Sequence, residues 1–176
     1  LTLNADLDVS GLGFRGAALV NMGGGCAATG YFYNNTSFSG ADKGEGIVDP
    51  GAAYARGRGA PANAGGGANN HNSGGGGGGN FGAGGNGGNE WSGCASTVNG
   101  GVGGYALNYA SLTRGFLGGG AGAGHQNGNV GTPGEDGGGM VIFRAGNVIG
   151  NGNSILADGT DNLGLSLHDG TGGGGG

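Results

Sequence analysis

The sequence predicts a mostly irregular, all-β fold: packed polyglycine or polyproline-II helices bracketed by short β-strands, with almost no α-helix. Three observations predict it. Glycine supplies 55 of 176 residues, against an average of roughly 7%. It is concentrated in tracts over 65–88, 118–139 and 170–176. Apolar segments with strand-like patterning flank those tracts, and no segment holds a helical 3.6 period.

Two ordinary explanations of such a composition fail. Collagen needs a strict Gly-X-Y repeat and abundant proline, and this chain has 3 prolines and no such repeat. Flexible linkers are Gly/Ser-rich, and disordered tails carry high charge. Here 10% of residues are charged, and Asn or Ala accompanies Gly. Gly76, Gly79, Gly82, Gly85 and Gly88 keep a spacing of three, as do Gly128, Gly131, Gly134 and Gly137. Three residues per turn is the polyproline-II period, with a rise of about 3.1 Å. That helix has no internal hydrogen bonds, so every N–H and C=O needs a lateral partner. Glycine lets neighbouring backbones approach closely enough to supply one. Fixing each residue costs roughly 1–2 kcal/mol, with Gly the worst case. A hydrogen bond returns about 0.5–1.5 kcal/mol. The terminal strands are therefore expected to contribute a core.

The first expected strand is 1–9, where Leu1, Leu3, Ala5, Leu7 and Val9 alternate with polar residues, giving one buried face. Glycine then breaks the chain, and 17–22 is a short apolar run. The aromatic, polar stretch 31–38 reads as an exposed loop or edge strand. Residues 41–60 are loop segments punctuated by glycine. Trp91 closes the first tract, and 102–117 carries Tyr105 and Tyr109. The second β region is 140–157, three apolar bursts separated by Gly-Asn and Asn-Gly-Asn turns.

A net charge of −5 with scattered basic residues argues against nucleic acid, which needs a basic stripe. No apolar run approaches the roughly 20 residues of a membrane span, and Leu1 does not open a signal peptide. The whole of 1–176 reads as a single glycine-rich module, a fragment of a longer, repeat-containing chain. Cys26 and Cys94 lack metal-ligand spacing. They are either two buried thiols or one disulfide in an oxidising compartment; the thin core favours the disulfide.

The motifs Gly13-Phe-Arg-Gly16, Lys43-Gly-Glu-Gly-Ile47 and Arg58-Gly-Ala-Pro-Ala-Asn63 carry a resemblance. So do Asn72-Ser before the six-glycine run, the stretch from Gly137 to Gly152 and Ala157-Asp-Gly. Together they resemble the glycine-rich domains of large secreted Bacteroidetes cell-surface adhesins of the gliding type, exported by the type IX secretion system. The fold looks like the polyglycine-II sandwich of phage tail-fibre adhesins, where packed helices present variable loops to a receptor. The resemblance implies a non-catalytic structural or adhesive module at the extracellular cell surface. Its implied partners are secretion machinery and a surface polysaccharide.

The residues themselves offer no catalytic constellation. His71, His125 and His168 sit in glycine or loop contexts and are expected to face solvent. The only lysine, Lys43, does not sit in a phosphate-binding loop, and no cofactor is expected. Asp158, Asp161 and Asp169 lie near turns where calcium takes oxygen ligands, but without the regular spacing of a calcium loop. Tyr31, Tyr33, Trp91, Tyr105 and Tyr109 form either a ligand- or surface-contact platform or caps over the ends of the glycine helices. Asn34 and Asn35 each open an Asn-X-Ser/Thr tripeptide, a glycosylation acceptor or a chance match. Two other readings stand beside adhesion: an ice-binding polyproline-II bundle with a flat face, and a β-helix polysaccharide-active enzyme with carboxylates in a groove.

Overall fold

The computed structural model describes residues 1–94, 99–108, 114–128, 130–162 and 169–176. Among them there is no α-helix. Regular structure is limited to β1 (Leu7–Asp8), a 3-10 turn (Ala52–Tyr54) and β2 (Ile155–Leu156). β1 and β2 pair in parallel, Leu7 with Ile155 and Asp8 with Leu156.

The molecule is held together by backbone hydrogen bonds between extended segments, organised around residues 118–125. Every N–H in this segment donates laterally, at 2.8 to 3.1 Å. The targets recur every third residue. Gly118, Ala121 and Gly124 donate to Gly138, Glu135 and Thr132; Gly119, Gly122 and His125 donate to Gly79, Gly76 and Ser73; Gly120 and Ala123 donate to Glu45 and Asp42. The carbonyls follow the same period. Phe14 and Ala17 donate to Gly118 and Ala121; Gly65 and Ala68 to Gly120 and Ala123; Gly176, Gly173 and Gly170 to Gly119, Gly122 and His125.

The neighbours of 118–125 thus divide into three that accept from it (132–138, 73–79, 42–45) and three that donate to it (14–17, 65–68, 170–176). They are also bonded to one another in a closed ring. Glu135 donates to Gly173, Gly78 to Gly174, Gly76 to Gly66, Gly44 to Gly65, Glu45 to Arg15, and Gly134 to Ala17. Around the ring, acceptor and donor neighbours alternate. The cause is local: in a trans peptide the C=O of one residue points opposite to the N–H of the next. A segment that donates toward one side accepts from the opposite side. Beyond 73–79 the pattern continues outward to 84–88 and 99–104 through Gly74→Gly88, Gly77→Gly85, Gly84→Gly104 and Gly101→Gly74 bonds.

Glycine is required because the segments approach so closely. A Cβ on Gly122 would lie less than 3.0 Å from the carbonyl carbon and oxygen of Gly66, and one on Gly120 equally close to the carbonyl of Arg15. Ala17, Ala41, Ala68 and Ala123 are buried and form the apolar cluster of the core. Ala64 and Ala121 are buried as well, and the largest fully buried side chains are polar: His125, Asn63, Asn69, Asn99 and Ser73.

The core therefore differs from the expected one. The alternating segment 1–9 is regular strand only at Leu7–Asp8, and no residue of it is buried. Region 140–157 is strand only at Ile155–Leu156, and Ile142 is 83% exposed. These two ends lie side by side in parallel, with Leu3 bonding Ile149 and Val9 bonding Leu156. They form a ribbon in which Leu3, Leu7 and Val9 are half-buried while Leu1, Ile149 and Ile155 are exposed. The expected Asn-Gly turn is present: Asn151 and Gly152 both have positive φ, and Asn153 N–H donates to Gly150 C=O, as a hairpin-type turn requires.

Cys26 and Cys94 form a disulfide with Cα atoms 5.4 Å apart, closing a 68-residue separation. It ties the loop after the first segment to the far end of the first glycine tract.

Two stability outcomes follow from this architecture. Gly122→Ala should cost about 3 kcal/mol or more, in the upper range of overpacking, whereas Gly82→Ala, whose Cβ meets nothing within 4 Å, should leave the denaturation midpoint nearly unchanged. Reducing the disulfide should lower stability by about 4 kcal/mol on the loop-entropy model, read as a shift of the urea midpoint with and without reductant.

Candidate functional site

With the interior occupied by backbone, large side chains are left to the loops. Residues 30–38 form one such loop, pinned where Tyr33 and Arg56 exchange backbone hydrogen bonds of 2.9 and 3.1 Å. The Arg56 guanidinium is held in turn by Asp42 Oδ1 at 2.6 Å and the Ser37 carbonyl. Tyr33 faces inward against Gly30, Gly40 and Gly57, and its hydroxyl accepts from Gly30 N–H at 2.9 Å. It is a strut of the loop.

Its neighbours point out. Tyr31, Phe32 and Tyr54 are each more than half exposed. Phe32 meets Tyr54 edge-on at 5.7 Å and Tyr31 at 6.5 Å. The 3-10 turn places Tyr54, and Asn35 N–H donates to Ala52 C=O to fasten that turn to the loop. Two cations complete the cluster. Arg58 lies 5.0 Å from the Tyr31 ring centre, and Lys43 Nζ lies 4.4 Å from that of Phe32. Lys43 is buried, and its ammonium donates to the carbonyls of Tyr31 and Gly59, both at 2.7 Å. Burial lowers its pKa to about 8. The arrangement is an exposed aromatic surface with positive charge fixed at its base. Such a surface stacks on flat apolar faces and attracts acidic groups.

The sequence singled out Tyr31 but not Phe32, Tyr54, Lys43 or Arg58. Phe32 was legible as the middle of Tyr-Phe-Tyr. Tyr54 and the two cations lie at distant positions and needed the fold to join them. Trp91 and Tyr105 are also more than half exposed, but Trp91 has His71 as its ring neighbour at 5.5 Å. Tyr109 and His168 lie outside the described residues. Asn34 and Asn35 are exposed, and Asn34 Oδ1 accepts from the backbone and hydroxyl of Thr36.

His125 corrects the expectation of a solvent-facing ring: it is fully buried. Asn72 N–H donates to Nδ1 at 3.1 Å, so Nδ1 is the unprotonated nitrogen and Nε2–H donates to the Gly23 carbonyl at 3.1 Å. Both sites of a neutral imidazole are thereby used. Burial lowers its pKa, with the nearby His71 acting in the same direction. His71, Cys26 and Cys94 place their donor atoms within 4.8 Å of one another, but the disulfide occupies both sulfurs. Asp169 Oδ2 accepts from the N–H groups of Asn127, Gly128 and Val130 and so fastens the backbone at those three residues.

No helix among the described residues is long and apolar enough to cross a membrane. Comparison with family models, curated proteins and solved structures finds no match to this chain.

The buried imidazole sets a pH dependence. The unfolded chain takes up a proton near pH 6.5, while folded His125 resists it. Its contribution is thus complete above that pH and is lost as pH falls from there through the lower folded-state value. Wild type should be less stable at pH 5 than at pH 7, and His125→Gln should show a smaller difference between the two, as read from urea midpoints.

Proposed function

We propose that the extended segments are polyglycine-II helices packed side by side. On this reading the chain is a non-catalytic structural or adhesive module displayed at a bacterial cell surface. The observation that carries this is an interior built mainly of laterally bonded backbone, which leaves the loops free to vary. The three-residue recurrence of lateral bonds around 118–125 supports the helix type. So does backbone conformation: among the described glycines only Gly11, Gly51, Gly57 and Gly152 have the positive φ that a left-handed polyproline-type helix excludes.

The adhesive face is the Tyr31–Phe32–Tyr54 cluster with Lys43 and Arg58. Aromatic rings in the open stack on the flat faces of sugar rings, and a surface polysaccharide bearing acidic groups would meet the cations as well. The Cys26–Cys94 disulfide fits an extracellular, oxidising location, and export through secretion machinery of the type IX kind accords with the motifs. Ice binding would need a flat and regular outer face, whereas this one carries Phe38, Phe81 and Trp91 in the open.

Retention of the purified protein on immobilised bacterial surface polysaccharide tests the reading. The triple variant Tyr31→Ala, Phe32→Ala, Tyr54→Ala should keep the wild-type melting temperature to within a few degrees and lose at least about tenfold in retention, the loss of a few hot-spot contacts. Equal retention by the variant would remove the aromatic face from the function. Thermal hysteresis, or cleavage of the polysaccharide, would replace adhesion altogether.

A further inference from the structure

Segment 73–79 has a ring of neighbours like that of 118–125, but among the described residues one position has no occupant. Its N–H groups go out in three rows: Gly74 and Gly77 to 85–88, Gly75 and Gly78 to 171–174, and Gly76 and Gly79 to 63–66. Its carbonyls go out in only two. Ser73, Gly76 and Gly79 accept from 119–125, and Gly74 and Gly77 accept from Gly101 and Gly104. The carbonyls of Gly75 and Gly78 have no hydrogen-bond partner among the described residues. By the opposition of C=O and following N–H across each peptide, they point away from 63–66. That direction lies between 84–88 and 170–175.

An open groove runs there, with 74–78, 84–88 and 170–175 as its walls. The two flanking walls present the complementary groups. In 170–176 the N–H groups of Gly170, Gly173 and Gly176 go to the 118–125 segment, and those of Gly172 and Gly175 to Thr132 and Thr160. The N–H groups of Thr171 and Gly174 remain. Their direction is opposite to the Gly170 and Gly173 carbonyls, which are bonded to Thr132 and Glu135, and so toward the groove. On the other wall Gly84 and Gly87 donate to Gly104 and Gly101, while the N–H groups of Gly85 and Gly88 have no partner among the described residues. The groove is therefore edged by donors, acceptors and donors in that order. This is the alternation found around 118–125.

The groove's volume, about 700 Å³, matches a small-molecule pocket. Such pockets are lined by apolar and aromatic side chains. Here the wall is glycine backbone, and only Asn72, Asn86, Asn89, Asp169 and Thr171 bring side chains to it. A Cβ on Gly77 would enter the groove between Gly174 O and Gly85 N, each 3.3 Å away. A docked segment with a side chain on the facing side would meet the same walls.

We infer that this groove is a vacant lattice position that takes an extended, glycine-rich segment of a partner polypeptide, with glycine on every inward-facing residue. The docked backbone donates to Gly75 and Gly78 and accepts from Gly85, Gly88, Thr171 and Gly174. The recognition resembles addition of a strand to a sheet edge, with a period of three in place of two. The inference rests on the packed-helix reading given above but not on adhesion.

The test uses the full chain, labelled with nitrogen-15, and the capped peptide acetyl-Asn-Gly-Gly-Asn-Gly-Gly-Asn-Gly-Gly-Lys-amide. Saturable shifts of the Gly85, Gly88, Thr171 and Gly174 amides are expected, with at least tenfold slower hydrogen exchange at those sites when peptide is bound. A peptide with alanine in place of every glycine should produce neither effect, and Gly77→Ala should abolish both. The alanine peptide keeps the proposal falsifiable even if that variant fails to fold. Unchanged amides at millimolar peptide, with 118–125 still protected from exchange, would overturn the docking site alone. Free exchange throughout 118–125 would overturn the packed-helix reading and the site with it. Protection of the four amides that rises with protein concentration alone would assign the groove to a second copy of the chain and overturn the peptide assignment.

Discussion

Everything in this structure depends on how closely two backbones can approach when neither carries a Cβ. At Gly65, Gly75, Gly122 and Gly134 the space a methyl group would take is filled by the carbonyl of a neighbouring segment. That proximity brings N–H and C=O within bonding distance across segments distant in sequence, with no sheet between them. Composition follows from this geometry. A side chain of any size at such a position would separate the two segments and break the bonds on either side. Alanine is found elsewhere in the interior, and Ala17, Ala41, Ala68 and Ala123 lie together where four segments meet. The interior is polar backbone paired with polar backbone, and hydrophobic burial plays a smaller part than in most domains.

That choice carries an entropic cost, because glycine loses more freedom on ordering than any other residue. Several features offset it. Lateral bonds link segments far apart in sequence, so each bond supports a cooperative network. The Cys26–Cys94 bridge restricts the unfolded chain. Buried Asn63, Asn69 and Ser73 each donate to backbone carbonyls, Asn63 to Gly79, Asn69 to Gly30 and Ser73 to Asn69 and Asn99, adding side-chain bonds where segments end. His125 does the same at the end of the central segment, with one ring nitrogen accepting and the other donating. Asparagine therefore accompanies glycine for a structural reason: its amide mimics the peptide group and completes the pattern where the lattice stops.

Much of this was legible in the sequence, but unevenly. The spacing of three at Gly76 and Gly79 and at Gly134 and Gly137 corresponds to single rows of donors in the structure. The pairing of Cys26 with Cys94 and the turn at Asn151-Gly152 were legible as well. The alternation of 1–9 misled in degree, because period-two patterning signals a buried face only when something lies over that face, and here Leu3, Leu7 and Val9 are only half-buried beside the largely exposed ribbon of 147–158. His125 misled for a related reason. Its glycine context signals a loop in an ordinary protein, whereas in this one glycine marks the interior. The aromatic cluster was half visible: Tyr31 stood out, but Lys43, Tyr54 and Arg58 joined it only through backbone pairing that no local signal encodes.

The same geometry that builds the interior governs its edges. A β-sheet edge offers donors and acceptors in turn along one strand, so any strand can add to it. In this arrangement each row along a segment is all donor or all acceptor, because successive groups in a row come from residues three apart. An edge is therefore polarised across its walls. A new segment must match every wall at once, accepting from one and donating to the next, and it must lack side chains on the faces that meet them. Those joint conditions exclude most polypeptide, so a protein exposing such rows resists the indiscriminate pairing that troubles sheet edges. Where three walls are set in complementary order, as between 84–88, 73–79 and 170–175, the exclusion becomes selection for one kind of chain.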